Sequence, residues 1–377
     1  MTVFMFVNVD WFFLSHRLDI AKESAKREVD LTVFADFTSD HAEYAYGDFS
    51  FLQSSLTRSS HSLITSCVEF FKTFMVIKND RPDAVHAVTI KPIIFLGIIC
   101  LMLRVPFIAS VSGLGPAFSS TGFLHKLRRR VVMLIYRAIF SPKTTRVICQ
   151  SSNDASTLLD NNILPKHKVV MTSGSGVAIA EYGSHRPKGS HALNVLMASR
   201  LLSDKGVMEF CAAAGSIMRK SKFDVAFYLA GPIDSHSPGA LSEVQVVEIC
   251  EFNNVQFLGN RTDLQDVLAE THIFVLPSYY AEGVPKVLLE AAASGCAVIT
   301  TDHPGCRDAI IPQETGLLVK PRDTNSLIDG LTSLLGDRDL IESMGKSGRR
   351  LAEEKFSVTK VIDIHYGLYN MFRMGKN

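Results

Sequence analysis

Runs of consecutive apolar residues recur along this chain, each followed by a longer mixed segment. VFMFVNV, DLTVFAD, DAVHAV, PFIASVS and RVICQS are rich in Val, Ile and Phe and show no alternation, and segments such as SHRLDIAKESAKRE separate them. Strands that are apolar on both faces belong to parallel sheets covered by helices on both sides. The pattern then restarts with NVLMASR, VAFYLAG, VQFLG, IFVLPS, AVITTD and GLLVK, spaced by helical stretches such as GVMEFCAAAGSIMRK and TDLQDVLAE. Between the two sets lies AEYGSHRPKGSHA, polar and carrying Gly, Pro and Ser, which reads as a linker. The expectation is an α/β chain of two Rossmann-like domains, 1–185 and 186–358, facing a central cleft, with a last helix, 359–377, packing back on the first domain. Ligands of such sheets bind at the carboxyl ends of the strands.

The length of 377 residues agrees with two domains, since single cores usually split beyond roughly 250–300 residues. The seven cysteines (67, 100, 149, 211, 250, 296 and 306) form no closely spaced pair, so neither a zinc site nor a disulfide framework is suggested. The opening MTVFMFVNVDWFF lacks a basic leader and a small-residue cleavage site, and it reads as a first strand. Charge changes the picture more. The net charge is only +1, yet residues 84–153 hold nine Lys/Arg and no Asp or Glu, which points to an anionic partner for that surface.

Two apolar stretches bear on membranes. Pro92–Gly113 approaches spanning length, but Arg104-Val-Pro interrupts it, so a buried helix followed by a strand is expected. Phe123–Phe140 sets Lys126, Arg128, Arg129, Arg130 and Arg137 beside Leu127, Val131, Leu134, Ile135 and Ile139. That is a basic amphipathic helix suited to an anionic bilayer surface. A core-facing helix with a solvated basic back gives the same pattern, and the acid-free surroundings tilt the reading to the membrane.

Chemistry concentrates in YYAEGVPKVLLEAAASGCAVIT. Glu282 lies in the loop after the strand HIFVLPS, and Glu290 lies inside the following helix among Val, Leu and Ala, where an unpartnered carboxylate is costly. Either Glu290 pairs with Lys286 one turn back, or it accepts hydrogen bonds from vicinal ribose hydroxyls. In MASRLLSDKG, Arg200 follows a strand and Lys205 precedes a helix, a pair of cations able to clamp a diphosphate.

SRLLSDKG, LAGP, VQFLGNRTDL and PSYYAEGVPKVLLEAAASGCAVITTDHPGCRDAI together resemble the retaining glycosyltransferases of family 4, which have the GT-B fold. In the first half, FFLSHRLDIA, VHAVTIKP and SVSGLGPAF are similar to the bacterial subgroup that extends sugars on polyprenyl-diphosphate carriers, often with N-acetylhexosamines. The resemblance implies a UDP-sugar donor whose diphosphate meets Arg200 and Lys205, whose sugar meets Glu282 and whose ribose meets Glu290. Gly283, Val284, Pro285 and Lys286 would offer backbone amides, and Asn260 and Arg261 would lie near the base. It also implies front-face displacement, with the donor phosphate oxygen taking the acceptor's proton. Many relatives carry a histidine in the loop after PFIASVSG, where this chain has Ser112 or Gly113; His16 and His86 are the substitutes on the acceptor side, with a packed structural histidine the competing reading for each.

Asp337-Arg338-Asp339 matches a DxD metal motif, but a helix cap explains it, and no metal or other cofactor is expected. The expected partners are the UDP-sugar, a polyprenyl-diphosphate-linked sugar acceptor and the anionic membrane surface met by Phe123–Phe140, with no nucleic acid. This implies a cytoplasmic protein peripheral on the inner face of the cytoplasmic membrane. A soluble transferase or epimerase acting on a small sugar is the alternative. The absence of GxGxxG after any strand argues against a dinucleotide oxidoreductase, and the presence of Arg200, Lys205 and both glutamates argues against a silent binding subunit.

Overall fold

The computed structural model describes all residues except 39–46, 57–61, 115–122, 184–191, 221–222, 236, 281 and 375–377, and omits the side chains of 63, 123–126 and 374. The chain divides into two compact units, the first containing residues 1–175 and 358–377 and the second containing 176–280 and 284–357. Most of the stretch read as a linker lies outside the described residues, and the boundary falls before it, between Ser175 and Gly176.

The first unit holds a seven-stranded parallel sheet: β1 (Thr2–Phe6), β2 (Asp30–Ala35), β3 (Ser50–Gln53), β4 (Ala84–Val88), β5 (Phe107–Val111), β6 (Thr145–Cys149) and β7 (Val169–Met171), ordered β3-β2-β1-β4-β5-β6-β7. Its strands feed two cores. Along β4, Val85 and Ala87 enter a cluster with Ile77, Leu96 and Tyr136, from the helices Leu63–Asp80, Ile90–Leu103 and Phe123–Ile139. Ala84 and Val88 enter the opposite cluster with Phe13, Ile20, Tyr366 and Tyr369, from the helices Asp10–His16, Leu18–Lys22 and Val358–Met374. The last helix is therefore part of the first unit's core. The helix expected through SHRLDIAKESAKRE ends at Lys22, and Glu28 adopts a left-handed φ of +56°.

The second unit repeats the plan with six parallel strands: β8 (Leu193–Ala198), β9 (Val225–Ala230), β10 (Val255–Phe257), β11 (Ile273–Leu276), β12 (Ala297–Thr301) and β13 (Gly316–Val319), ordered β10-β9-β8-β11-β12-β13. This is the doubly wound Rossmann order, reversing direction between β8 and β11 as the first sheet does between β1 and β4.

Two expectations about helices resolve here. Ile90–Leu103 is a helix with a buried face, and among the described residues no helix is long and apolar enough to cross a membrane. On Phe123–Ile139 the core side carries Tyr136 and Ile139, whereas Leu127, Val131 and Leu134 stand 52, 48 and 61 % exposed. Arg130, three residues beyond Leu127, shares the outward side, while Arg137 donates to the Asn161 and Asn162 carbonyls at 2.7 and 3.2 Å. The helix therefore does not divide into an apolar core face and a polar back.

A buried polar cluster ties the last helix to β4. The two ring nitrogens of His86 meet Tyr369 Oη at 2.8 Å and Ser110 Oγ at 2.7 Å, and the His365 ring lies 5.4 Å away with its Nδ1 2.7 Å from the Val361 carbonyl. Arg17 is buried beside them, and burial brings its guanidinium down to about 10. Burial also pulls both imidazoles down, reinforced by His365 and Arg17 for His86 and by Arg17 for His365, which falls to about 3. The unfolded chain takes up these protons near pH 6.5 whereas the folded one resists, so stability is retained above that pH and lost as pH falls below it. His365 alone should remove about 3 kcal/mol by pH 4.5. Urea midpoints compared between wild type and His365→Gln from pH 7.5 to 4.5 measure this, and identical pH slopes would contradict it.

Candidate active site

The loop after β8 carries Arg200, and a 3-10 turn, Ser203–Lys205, brings Lys205 back to the carboxyl edge before the helix Val207–Lys220 begins. Gly206 joins the two at φ +82°, and a Cβ there would lie 2.4 Å from the Pro277 carbonyl oxygen in the loop after β11. The two loops are thus pressed together at the reversal point of the second sheet. Tyr279 fastens them: its N–H donates to the Asp204 carbonyl at 2.9 Å and its hydroxyl to the Ser203 carbonyl at 3.0 Å. Tyr280 then presents its ring to both cations, with Lys205 Nζ 5.0 Å and Arg200 Cζ 5.7 Å from its centroid. Arg200 also donates to Asp234 at 3.1 Å and Ser237 at 3.3 Å, in the loop after β9.

Glu290 is buried in the helix Lys286–Ala293, and its carboxylate is 3.1 Å from Lys286 Nζ, so the intrahelical pair is formed. Val287, three residues before Glu290 on the same side, lines a cavity of about 140 Å³ with Ser199, Gly231, Asn260 and Arg261, at the carboxyl ends of β8 and β9. Arg261 is also held by Asp263 at 2.5 Å.

The expectation of four free backbone amides from Gly283 to Lys286 needs correction. Pro285, the N-cap of this helix, has no N–H, and the Gly283 N–H donates to the Ser112 carbonyl at 3.2 Å. Glu282 and Gly283 group with the first unit, where Gly113, at φ +110°, lies so close that a Cβ would meet Glu282 Cα at 3.0 Å. Ser112 and Gly113 are therefore next to Glu282.

Around them, at the carboxyl ends of the adjacent strands β1, β4 and β5, Asn8 Oδ1, Thr89 Oγ1 and Ser112 Oγ are buried without a hydrogen-bond partner. Thr89 is also forced to φ +73°, a conformation that costs a β-branched residue about 1–3 kcal/mol. Unpaired, strained polar groups of this kind cluster at ligand sites.

One of the two histidines departs from its expected place. His86 is a core residue with both ring nitrogens occupied and cannot touch an acceptor; its strand position faces the last helix rather than the carboxyl edge. His16 ends the helix Asp10–His16, its ring stacked on Phe12 at 4.3 Å. The carboxylate of Asp337 is used as a helix cap, accepting from the Leu340 N–H at 2.9 Å, and among the described residues no His/Cys/Asp/Glu group is arranged to hold a metal ion.

Sequence reasoning missed Tyr280, Asp234, Ser237, Asn8 and Thr89. Each lies one to seven residues beyond a strand's carboxyl end, in or beside a segment already singled out, and that position was the available signal. The close approach at Gly206 gives a direct test. Gly206→Ala should lower stability by about 2 kcal/mol or more, read as a lower denaturation midpoint, because it adds left-handed strain to a clash with backbone. An unchanged midpoint would mean that the two loops do not bear on each other.

Comparison with known proteins gives this geometry its context. The family model described as Glycosyltransferase Family 4 matches residues 15–173, and that described as Glycosyl transferases group 1 matches residues 192–337. Among curated relatives, the N,N'-diacetylbacillosaminyl-diphospho-undecaprenol alpha-1,3-N-acetylgalactosaminyltransferase of Campylobacter jejuni is 29% identical over 77% of this chain and 78% of its own length. The UDP-Gal:alpha-D-GlcNAc-diphosphoundecaprenol alpha-1,3-galactosyltransferase of Escherichia coli is 26% identical over 82% of this chain and 80% of its own. Among solved structures, sucrose-phosphate synthase from Thermosynechococcus elongatus shares the fold over 100% of both chains, with a TM-score of 0.80 at 18% identity. With one family model over most of the first unit and the other over most of the second, the protein belongs to glycosyltransferase family 4, an enzyme family of the GT-B fold.

Proposed function

We propose that this glycosyltransferase is a retaining enzyme that moves a sugar, with an N-acetylhexosamine the first candidate, from a UDP-sugar to a polyprenyl-diphosphate-linked saccharide during assembly of a bacterial surface glycan. The observation that carries the reading is the pairing of Arg200 and Lys205 on one aromatic ring at the reversal point of the second sheet. Two cations fixed at one strand edge suit a diphosphate and the charge that develops on it as it leaves. The cavity beside Asn260 and Arg261 suits the base, and Glu290, on the side of Val287, suits the ribose hydroxyls. Glu282 takes the hydroxyls of the donor sugar. The names of the two curated relatives, both acting on diphospho-undecaprenol-linked sugars, support the acceptor class.

In this reading, the bond between the sugar's anomeric carbon and the diphosphate oxygen breaks, and its electron pair goes to that oxygen. The acceptor hydroxyl bonds to the anomeric carbon on the same face, and its proton passes to the departing oxygen. Arg200 and Lys205 supply the positive charge, so no metal is required. Asn8, Thr89 and Ser112 supply hydrogen-bonding oxygens for the acceptor saccharide, which suits their lack of partners within the chain. The helix Phe123–Ile139 docks on an anionic inner-membrane surface; its exposed Leu127, Val131 and Leu134 among arginines support that placement.

A panel of UDP-sugars with short polyprenyl-diphosphate-linked saccharides, read by product mass and by the anomeric coupling of the new bond, tests the reaction. Chelator should leave the rate unchanged. Lys205→Ala and Glu282→Ala should each lower turnover by about a hundredfold or more with an unaltered melting temperature. Near-normal turnover in either would remove the site assignment. Thr89→Val should raise the acceptor KM but not the donor KM, and it should raise the melting temperature because it removes an unpaired buried hydroxyl. Arg128→Gln, Arg129→Gln and Arg130→Gln combined should weaken binding to anionic vesicles, and unchanged partitioning would exclude docking through this helix.

A further inference from the structure

The helix Leu63–Asp80 presents to solvent the same arrangement as Phe123–Ile139. Ile64, Val68 and Phe71, spaced as neighbours along one side, are 79, 48 and 63 % exposed, and Met75 continues the row one turn on. Lys72 and Lys78 flank it. Of the helix's two acids, Glu69 is turned inward and held by Lys91 at 2.9 Å, and Asp80 is the last helical residue. An exposed row of this size edged only by cations is uncommon on a surface that meets water alone.

The two helices also share one side of the first sheet. They and Ile90–Leu103 connect β3 to β4, β4 to β5 and β5 to β6, all stepping the same way across the sheet, and right-handed crossovers place such connections on one face. Their inward residues accordingly join a single core cluster. Each helix runs back from the carboxyl ends of the strands, so Ile64, Val68 and Phe71 lie towards that edge, as does Leu127. Phe71 and Met75 also wall a cavity of about 420 Å³ with Phe6 and Phe34, at the carboxyl ends of β1 and β2.

We propose that Leu63–Asp80 is a second bilayer-contact helix, and that its row and that of Phe123–Ile139 form one lipid-facing surface of the first unit. The occupant is an anionic phospholipid bilayer: apolar rows bordered by Lys72, Lys78 and Arg130, with no exposed acid between them on these helices, match acyl chains beneath negative headgroups. This rests on the membrane docking proposed above and extends it. Docking through two rows fixes the roll of the first unit about the axis of Phe123–Ile139, which one helix lying on the surface leaves free.

The full chain carries one tryptophan, Trp11, so Trp11→Phe provides a silent background. In that background Phe71→Trp and Val131→Trp each report on one helix. With vesicles of phosphatidylcholine and phosphatidylglycerol, both emissions should shift to the blue and be quenched by brominated acyl chains. The combined Ile64→Ser, Val68→Ser and Phe71→Ser variant should partition about tenfold more weakly at an unchanged melting temperature. If Val131→Trp responds and Phe71→Trp does not, the second helix stays in water and this inference fails while docking stands. If neither responds, the docking itself is wrong. A shift of Phe71→Trp with protein concentration in the absence of lipid would assign the row to self-association and overturn the proposal.

Discussion

Parallel strands can be joined only by crossovers, and crossovers have one hand, so a sheet built outward from a central strand in both directions must reverse its winding once. In each unit that reversal leaves two neighbouring strands whose following loops diverge to opposite faces, β1 with β4 and β8 with β11. Everything of chemical interest collects there. The second unit closes the gap by packing Gly206 against Pro277, which brings two cations and a tyrosine ring together. The first unit leaves its gap with three oxygens unpaired.

The chain handles charge in apolar surroundings in two ways. Glu290 sits among alanines and leucines and is paired with a cation one turn away. The cluster of Arg17, His86, His365 and Tyr369 lies deeper and includes no carboxylate; there the imidazoles are kept neutral and are linked by hydroxyls and carbonyls. The first arrangement leaves a group able to meet a ligand. The second cements one helix to the sheet.

Much of the fold was legible because strands buried on both faces are mostly apolar, and all but two of the described strands fall in such runs. The exceptions are β3 and β7, edge strands of four and three residues, too short and too exposed to stand out. Arg200, Lys205, Glu282 and Glu290 were legible through their order and spacing in a motif. Tyr280 was not, because a tyrosine in a loop does not announce that two cations will lie on its ring. His86 misled because alternation along a strand says which residues share a face, not which face is covered; its own face is covered by a helix encoded 270 or more residues later. The same ambiguity hid the outward side of Phe123–Ile139, where both sides of the helix carry large apolar groups and only burial separates Tyr136 from Leu134.

The last helix has a consequence for how the protein is made. Val361, Tyr366, Tyr369 and Phe372 complete the core that starts with Val3 and Met5, while nearly all of the second unit is encoded between them. A nascent chain therefore finishes its second unit before its first can close. At about 5–20 residues per second, the earliest strand waits on the order of 20–70 s with one apolar face covered only in part, by Phe13 and Ile20. The order of completion is thus the reverse of the order in which the units begin, and the chain depends on whatever shields the rest of that face of β1 during that interval.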